Sequence, residues 1–346
     1  MDISRLIRRN ILSLEPYHCA RETVQEGLLL DANENPYLDQ REGVVLNRYP
    51  DPFQRELREN IARYVGVAVE NVVVGSGSDE VVDWIFKVFC QPGVDQIAIA
   101  QPTYGMYQVT ADVFGIATLQ LPLDKKFDFD GNKFLEAVSS QTKVLFLCSP
   151  NNPTGNLLDR RQILQLCRLW EKIVVVDEAY IEFSDQPSLV VDQEAHPNLI
   201  LLRTLSKSFG LAGLRLGYAV ASEEIIAHFL RVKAPYNLSA LTMNYGCQVL
   251  ENWHDKSVQV QAILRERQRL SSRLNQIQGI GDVFPSQANF ILFHCTQASQ
   301  VCKRLLEKGI VVRDRSTLMG LEDCIRVTVG TAAENDVFLN ELQELL

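Results

Sequence analysis

Apolar positions fall into two alternating kinds of run. Short, strand-like apolar runs occupy residues 71–74, 96–100, 117–121, 144–148, 173–176, 199–202 and 217–220. Amphipathic stretches, such as 79–89 and 160–170, separate most of them. This alternation predicts βαβ units, and hence a largely parallel sheet with helices on both faces. The turn from Leu202 to Gly217 is short for a crossover helix, so the seventh strand is expected to run antiparallel. Beyond Val220 the pattern turns helical. Residues 258–277 read as a long charged helix, followed by a strand at 290–293, a helix at 299–308 and strands at 310–312 and 325–329. Gly309 is placed to end that last helix. Near the N-terminus Ile3, Leu6, Ile7, Ile11 and Leu14 recur at helical spacing, which suits an amphipathic arm docked on a neighbouring surface.

At 346 residues there is room for two domains, or for one large α/β domain with an appendage. A net charge of −9 argues against general attraction to nucleic acid or anionic lipid. No apolar run approaches a membrane span, and the first residues show no signal-peptide core. The eight cysteines are scattered without a C-x-x-C pair, which argues against a zinc ribbon and suits reduced thiols in a cytoplasmic protein.

Four segments carry candidate chemistry, each at the carboxyl end of an expected strand, where α/β sheets bind ligands. Gly75-Ser76-Gly77-Ser78-Asp79-Glu80 joins a strand to a helix, and its backbone N–H groups could cradle a phosphate. It lacks the third glycine of a dinucleotide fingerprint and the lysine of a P-loop, so a plain turn is the alternative. Ser149-Pro150-Asn151-Asn152-Pro153-Thr154-Gly155 is a rigid turn that holds Asn152 where its amide can donate to an anionic oxygen. Asp177 leaves a fully apolar strand, where a carboxylate is costly unless it meets a cation such as a protonated pyridine nitrogen. Tyr180, one turn on, could reach a phenolate oxygen. A metal held by Asp177 and Glu178 is the competing reading, but no histidine stands near and no metal is expected. The fourth segment, Arg203-Thr204-Leu205-Ser206-Lys207-Ser208-Phe209-Gly210, leads on to Arg215. It suits a lysine that condenses with an aldehyde beside a phosphate held by Thr204, Ser206 and Arg215.

Together these segments supply what pyridoxal phosphate requires. The chain resembles the fold-type-I pyridoxal-phosphate aminotransferases, most closely the histidinol-phosphate aminotransferases. The resemblance rests on Asn33-Glu34-Asn35-Pro36, Asn47-Arg48-Tyr49-Pro50-Asp51, Gly77-Ser78-Asp79-Glu80, Pro102-Thr103-Tyr104-Gly105-Met106-Tyr107, the Asn152, Asp177 and Lys207 segments, and Ile325-Arg326-Val327-Thr328-Val329-Gly330. It implies an α/β fold: a large domain with a mixed, mostly parallel seven-stranded sheet between helices, and a smaller α/β C-terminal domain. The implied boundaries are an arm over 1–31, packed on the small domain and a partner subunit, a large domain over 32–252 and a small one over 253–346. Lys207 would hold the cofactor covalently, Asp177 would face the ring nitrogen, and Asn152 and Tyr180 would face the ring oxygen. Tyr104 would stack on the ring. Gly77, Ser78, Asp79, Thr204, Ser206 and Arg215 would hold the phosphate, joined by Tyr49 from the partner of a homodimer. Arg326 and Arg313 would grip the anionic end of the substrate, with Tyr17 and Asn33 lining the entrance. The implied reaction is amino transfer between histidinol phosphate and 2-oxoglutarate, giving imidazole-acetol phosphate and glutamate.

Rival readings remain at this stage. An aromatic aminotransferase or a threonine-phosphate decarboxylase would share the fold. A nicotinamide dehydrogenase would leave Lys207 and the Asn152 segment without a purpose. A non-catalytic regulator would need a DNA-binding segment, and none is long or basic enough.

Overall fold

The computed structural model describes residues 1–346 except 23, 25 and 42. Its main sheet has seven strands: β1 (Val72–Ser76), β2 (Gln96–Gln101), β3 (Ala117–Pro122), β4 (Thr142–Cys148), β5 (Ile173–Asp177), β6 (Leu199–Thr204) and β7 (Leu216–Val220). They lie in the order β1-β7-β6-β5-β4-β2-β3. β7 pairs antiparallel with both β1 and β6, as the short turn before it predicts. The remaining pairs are parallel.

Gly217 lets β7 run close beside the loop after β1. A Cβ on Gly217 would stand 2.1 Å from the Ser78 backbone nitrogen, so no other residue fits there.

The two-residue period of the strands sorts their side chains into two cores. Val73, Ile97, Ile99, Val144, Phe146, Ile173, Val175, Ile200 and Leu202 meet helix α1 (Ser78–Phe89) through Val81, Ile85 and Phe89. Val74, Ala98, Leu145, Leu147, Val174, Val176, Leu199 and Leu201 face the other way, toward α2 (Arg160–Leu169) through Ile163 and Leu166. Both helices place their apolar residues at i, i+3 and i+4, and Asp159 caps α2 by accepting the Arg161 N–H at 2.8 Å.

A second sheet is four-stranded and antiparallel: β8 (Ile280–Val283), β9 (Phe290–Cys295), β10 (Arg313–Asp314) and β11 (Cys324–Thr328), ordered β8-β9-β11-β10. The long helix α3 (His254–Leu274), α4 (Ala298–Glu307) and α5 (Ala332–Leu345) pack on it through Leu270, Leu274, Val301, Leu305, Phe338 and Leu342.

Two expectations need correction. The strand expected at 310–312 is not formed; the pairing starts at Arg313. The chain is still closing α4 at that point: Gly309 has φ +79°, and the Ile310 N–H donates back to the Leu305 carbonyl at 2.9 Å. The arm does not pack on the small sheet over its first turns. Ile3, Leu6, Ile7 and Ile11 are buried in the large sheet's core beside α1. Arg8 anchors them, its N–H and guanidinium donating to the Val88 and Lys87 carbonyls left free at the end of α1, both at 2.9 Å.

Candidate active site

A cavity of about 550 Å³ opens where β1, β4, β5 and β6 end and β7 begins. Gly77, Ser78, Asp79, Tyr104, Asn152, Asp177, Tyr180, Thr204, Ser206, Lys207 and Arg215 all line it, and the second sheet adds Arg313, Arg315 and Arg326. The topology explains the meeting: parallel strands deliver their carboxyl ends to one edge, and antiparallel β7 brings Arg215 to that edge at its start.

One end of the cavity is built for an anion. Gly77, with φ +81°, precedes α1, and no side chain caps the helix's first N–H groups. Those donors and the helix dipole therefore point at whatever binds there. The Arg215 carbonyl accepts the Gly77 N–H at 2.9 Å, which draws the arginine against the loop. A Cβ on Gly77 would lie 2.6 Å from Arg215 Nη2. Two predicted phosphate residues act differently. The Thr204 hydroxyl donates to the Leu216 carbonyl at 3.2 Å and accepts the Ser206 N–H at 3.0 Å, so its proton is committed to shaping the loop. The Asp79 carboxylate cannot donate to an anion. It accepts the Tyr104 hydroxyl at 3.2 Å and lies 3.9 Å from Arg215 Nη2, so it orients those two groups.

Asp177 forms the floor. As the last residue of β5 it follows the register of Ile173 and Val175 into the α1-side core. Its Oδ2 accepts a 2.7 Å hydrogen bond from Tyr107, and its Oδ1 accepts the Ala179 N–H at 3.0 Å. Desolvation still pushes its pKa up, outweighing both bonds and the pull of Lys207. A buried carboxylate in that condition calls for a cation against it.

Lys207 Nζ lies 5.7 Å from the centre of the Tyr180 ring. Burial, and then the charge of Arg326, lower its pKa, so more of its amine is neutral and nucleophilic than an exposed lysine offers. Tyr180 is nearly buried, and its hydroxyl's pKa is pushed up by desolvation, which keeps it a proton donor. Arg326 Nη1 donates to Asn152 Oδ1, so the amide's Nδ2 end is the one turned to other acceptors. Phe290 packs edge-on to Tyr180 at 5.1 Å and lies under the Arg326 guanidinium at 5.2 Å, steadying both.

Tyr49, Tyr17 and Asn33 do not line this cavity. Tyr49 stacks on Tyr236 with ring centres 4.4 Å apart, and Tyr17 is 77% exposed. Residues that sequence reading missed are Tyr107, Thr103, Cys148 and Arg315. Tyr107 was within reach of that reading, since it sits three positions after Tyr104 in the same segment, and the two rings meet edge-on at 5.5 Å. Taken together, the buried carboxylate, the lysine with a lowered pKa and the anion cradle fit the ring nitrogen, aldehyde and phosphate of pyridoxal phosphate.

Residues 10–342 match the family model "Aminotransferase class I and II". The chain belongs to the class I and II aminotransferases. A histidinol-phosphate aminotransferase of Parabacteroides distasonis is 42% identical over 99% of both chains. Among solved structures, the histidinol-phosphate aminotransferase of Clostridium acetobutylicum superposes with a TM-score of 0.80 at 26% identity, covering 87% of this chain and 91% of that one. The L-threonine-O-3-phosphate decarboxylase of Porphyromonas gingivalis superposes at 0.75 with 25% identity, over 87% and 91%. The fold thus serves two reactions among these neighbours, while the relative with the higher identity is a transaminase. No described helix is long and apolar enough to cross a membrane.

Proposed function

We propose that the chain moves an amino group between histidinol phosphate and 2-oxoglutarate in histidine biosynthesis, with pyridoxal 5'-phosphate as cofactor. The observation that carries this is the charge layout of one cavity: Asp177 at the floor, arginines at the mouth, and Lys207 with its pKa shaped by both.

When bound, the cofactor supplies an aldehyde for covalent attachment to an amine and a protonated ring that accepts electrons from the amino-bearing carbon. Asp177 would keep the ring nitrogen protonated, and Tyr180 Oη and Asn152 Nδ2 would donate to the ring oxygen. The Gly77–Ser78 backbone, Ser206 and Arg215 would hold the phosphate, and Tyr104 would cover a ring face. Lys207 Nζ, with its pKa lowered by burial, would hold the cofactor and, once released, would serve as the base that takes the proton from the substrate's amino-bearing carbon. Arg326 and Arg313 bind the substrate's anionic tail, and one guanidinium fork suits either a phosphate or a carboxylate.

A homodimer is part of this proposal. Tyr17, Leu28, Leu30, Tyr37 and Leu38 are two-thirds or more exposed, which is unusual for apolar side chains concentrated within one short stretch, residues 17–38. A two-fold partner would cover them and bring Tyr49 to the other subunit's phosphate. We further propose that residues 32–252 and 253–346 act as large and small domains. Eight free cysteines suit the reducing cytoplasm.

Reduction of the holoenzyme with borohydride, followed by digestion and mass analysis, should place a pyridoxyl group on Lys207. A label elsewhere overturns the site. A donor panel of histidinol phosphate, phenylalanine and threonine phosphate decides the substrate, and carbon dioxide released from threonine phosphate would favour the decarboxylase. Lys207→Ala should lose at least a thousandfold in turnover, since it removes both the attachment point and the proton carrier (about 10²–10⁴ for the base alone).

A further inference from the structure

The mouth of the cavity holds more positive charge than the family motifs account for. Arg313 and Arg326 are direct partners across β10 and β11, and directly opposed residues project from the same face of a sheet. Arg315 lies two positions beyond Arg313 and continues the ladder, its N–H donating to the Cys324 carbonyl at 2.8 Å, so it takes that face as well. All three arginines line the cavity.

The sequence Arg313-Asp314-Arg315 reads as self-neutralising, but the structure separates its charges. Asp314 points to the opposite face, where its carboxylate accepts from Ser299 Oγ, from Ser316 Oγ at 2.6 Å and from the Ser316 N–H at 2.8 Å. Among the described residues no ion pair includes Arg313, Arg315 or Arg326. The Nε atoms of Arg315 and Arg326 are buried without a hydrogen-bond partner. Like charges on one sheet face repel, and buried donors without partners cost stability. An anion between the three would relieve both penalties.

We infer that Arg315 is a specificity-determining residue, the third guanidinium of a cluster that selects a substrate tail carrying two negative charges over a tail carrying none. This rests on the transamination reading above and deepens it. A phosphate monoester offers close to two charges and three terminal oxygens, enough acceptors for three forks. Burial and the two neighbouring arginines lower the pKa of Arg315, which is the environment a dianion reverses.

The test uses cofactor-loaded enzyme, so that the cofactor's own phosphate site is filled. Inorganic phosphate is titrated calorimetrically, and kcat/KM is measured for histidinol phosphate and for histidinol, which lacks the phosphate. Arg315→Gln should weaken phosphate binding about tenfold and lower the histidinol phosphate to histidinol preference about tenfold. Arg315→Lys should restore part of both, since it returns charge without the fork. A preference within twofold of wild type, or an equal loss on both substrates with phosphate affinity intact, overturns the inference. Should Arg315→Gln fail to retain cofactor, the Lys variant decides: phosphate affinity equal to that of wild type overturns the fork's role, and a loss upholds it. Failure of the wild type to use histidinol phosphate would remove the proposed function, whereas a drop in phosphate affinity in the variants would still uphold the cluster as a dianion site.

Discussion

Tyr107 Oη donates a 2.7 Å hydrogen bond to Asp177 Oδ2 from a fully buried ring, stacked on Phe146 at 4.8 Å. The two residues are 70 positions apart in the chain. The bond fixes the carboxylate's direction and favours its charged form. Tyr107→Phe keeps the packing and removes only that bond. The expected result is a cofactor dissociation constant raised about tenfold, from the loss of one hydrogen bond to a charged group worth about 1.5–3 kcal/mol. Equilibrium dialysis against pyridoxal phosphate measures it; an unchanged constant would show that Asp177 needs no such support.

The raised pKa of Asp177 makes a pH prediction for the cofactor-free protein. Its folded pKa exceeds the ordinary carboxylate value of 3.8, so between those two values the folded state binds more protons than the unfolded. Stability contributed by this group therefore falls as pH rises through that window. Cofactor-free Asp177→Asn should be more stable than wild type at pH 7 by about 1–3 kcal/mol, with the difference closing toward pH ~4. Its cofactor-loaded form should be nearly inactive. Paired urea melts across pH check the sign, and a variant less stable than wild type at pH 7 would contradict it.

Gly77→Ala places a methyl group 2.6 Å from Arg215 Nη2 in a backbone conformation with φ +81°. The side chain of Arg215 can move away, so the fold should survive with a loss of about 1–2 kcal/mol. The displaced guanidinium would leave the proposed phosphate site, and cofactor affinity should fall at least tenfold. Gly217→Ala meets the Ser78 backbone instead, at 2.1 Å, and nothing there can rotate aside. That variant should lose soluble expression. Thermal melts and absorbance titrations of both variants test the contrast.

Arg326→Ala removes the guanidinium that meets Asn152 Oδ1 and lines the mouth. KM should rise about tenfold or more for both histidinol phosphate and 2-oxoglutarate, because both use the same fork in turn. Steady-state kinetics with each substrate varied decide it. An effect on one substrate alone would mean that the two anions bind in different places.

The sheet was legible from sequence because β4, β5 and β6 are buried on both faces and their centres read as continuous apolar runs. Strand β8 was missed because it is a partly exposed edge that includes Gly281. The two-residue β10 carries only Arg313 and Asp314, too little for any pattern. Helix α5 passed unmarked even though Thr331 and Glu334 form a capping box, a signal available in the sequence. Site residues at strand ends were readable because topology alone brings strand ends together. The Tyr107–Asp177 bond and the turning away of Asp314 were not, since each depends on side-chain direction across distant segments. Thr204 was ambiguous for a related reason: a hydroxyl beside a phosphate loop can serve a ligand or its own backbone, and here it bonds the backbone of Leu216 and Ser206.

The hydrogen bond from Arg326 to Asn152 joins residues 174 positions apart, one from each sheet. The residues proposed to hold the cofactor come mostly from the first sheet's edge, and the arginines proposed for the substrate tail come from the second. On that reading, diet and reaction are encoded in separate stretches of sequence. Grafting a relative's residues 310–329 onto this chain should then alter what it accepts while leaving Lys207 and its surroundings unedited.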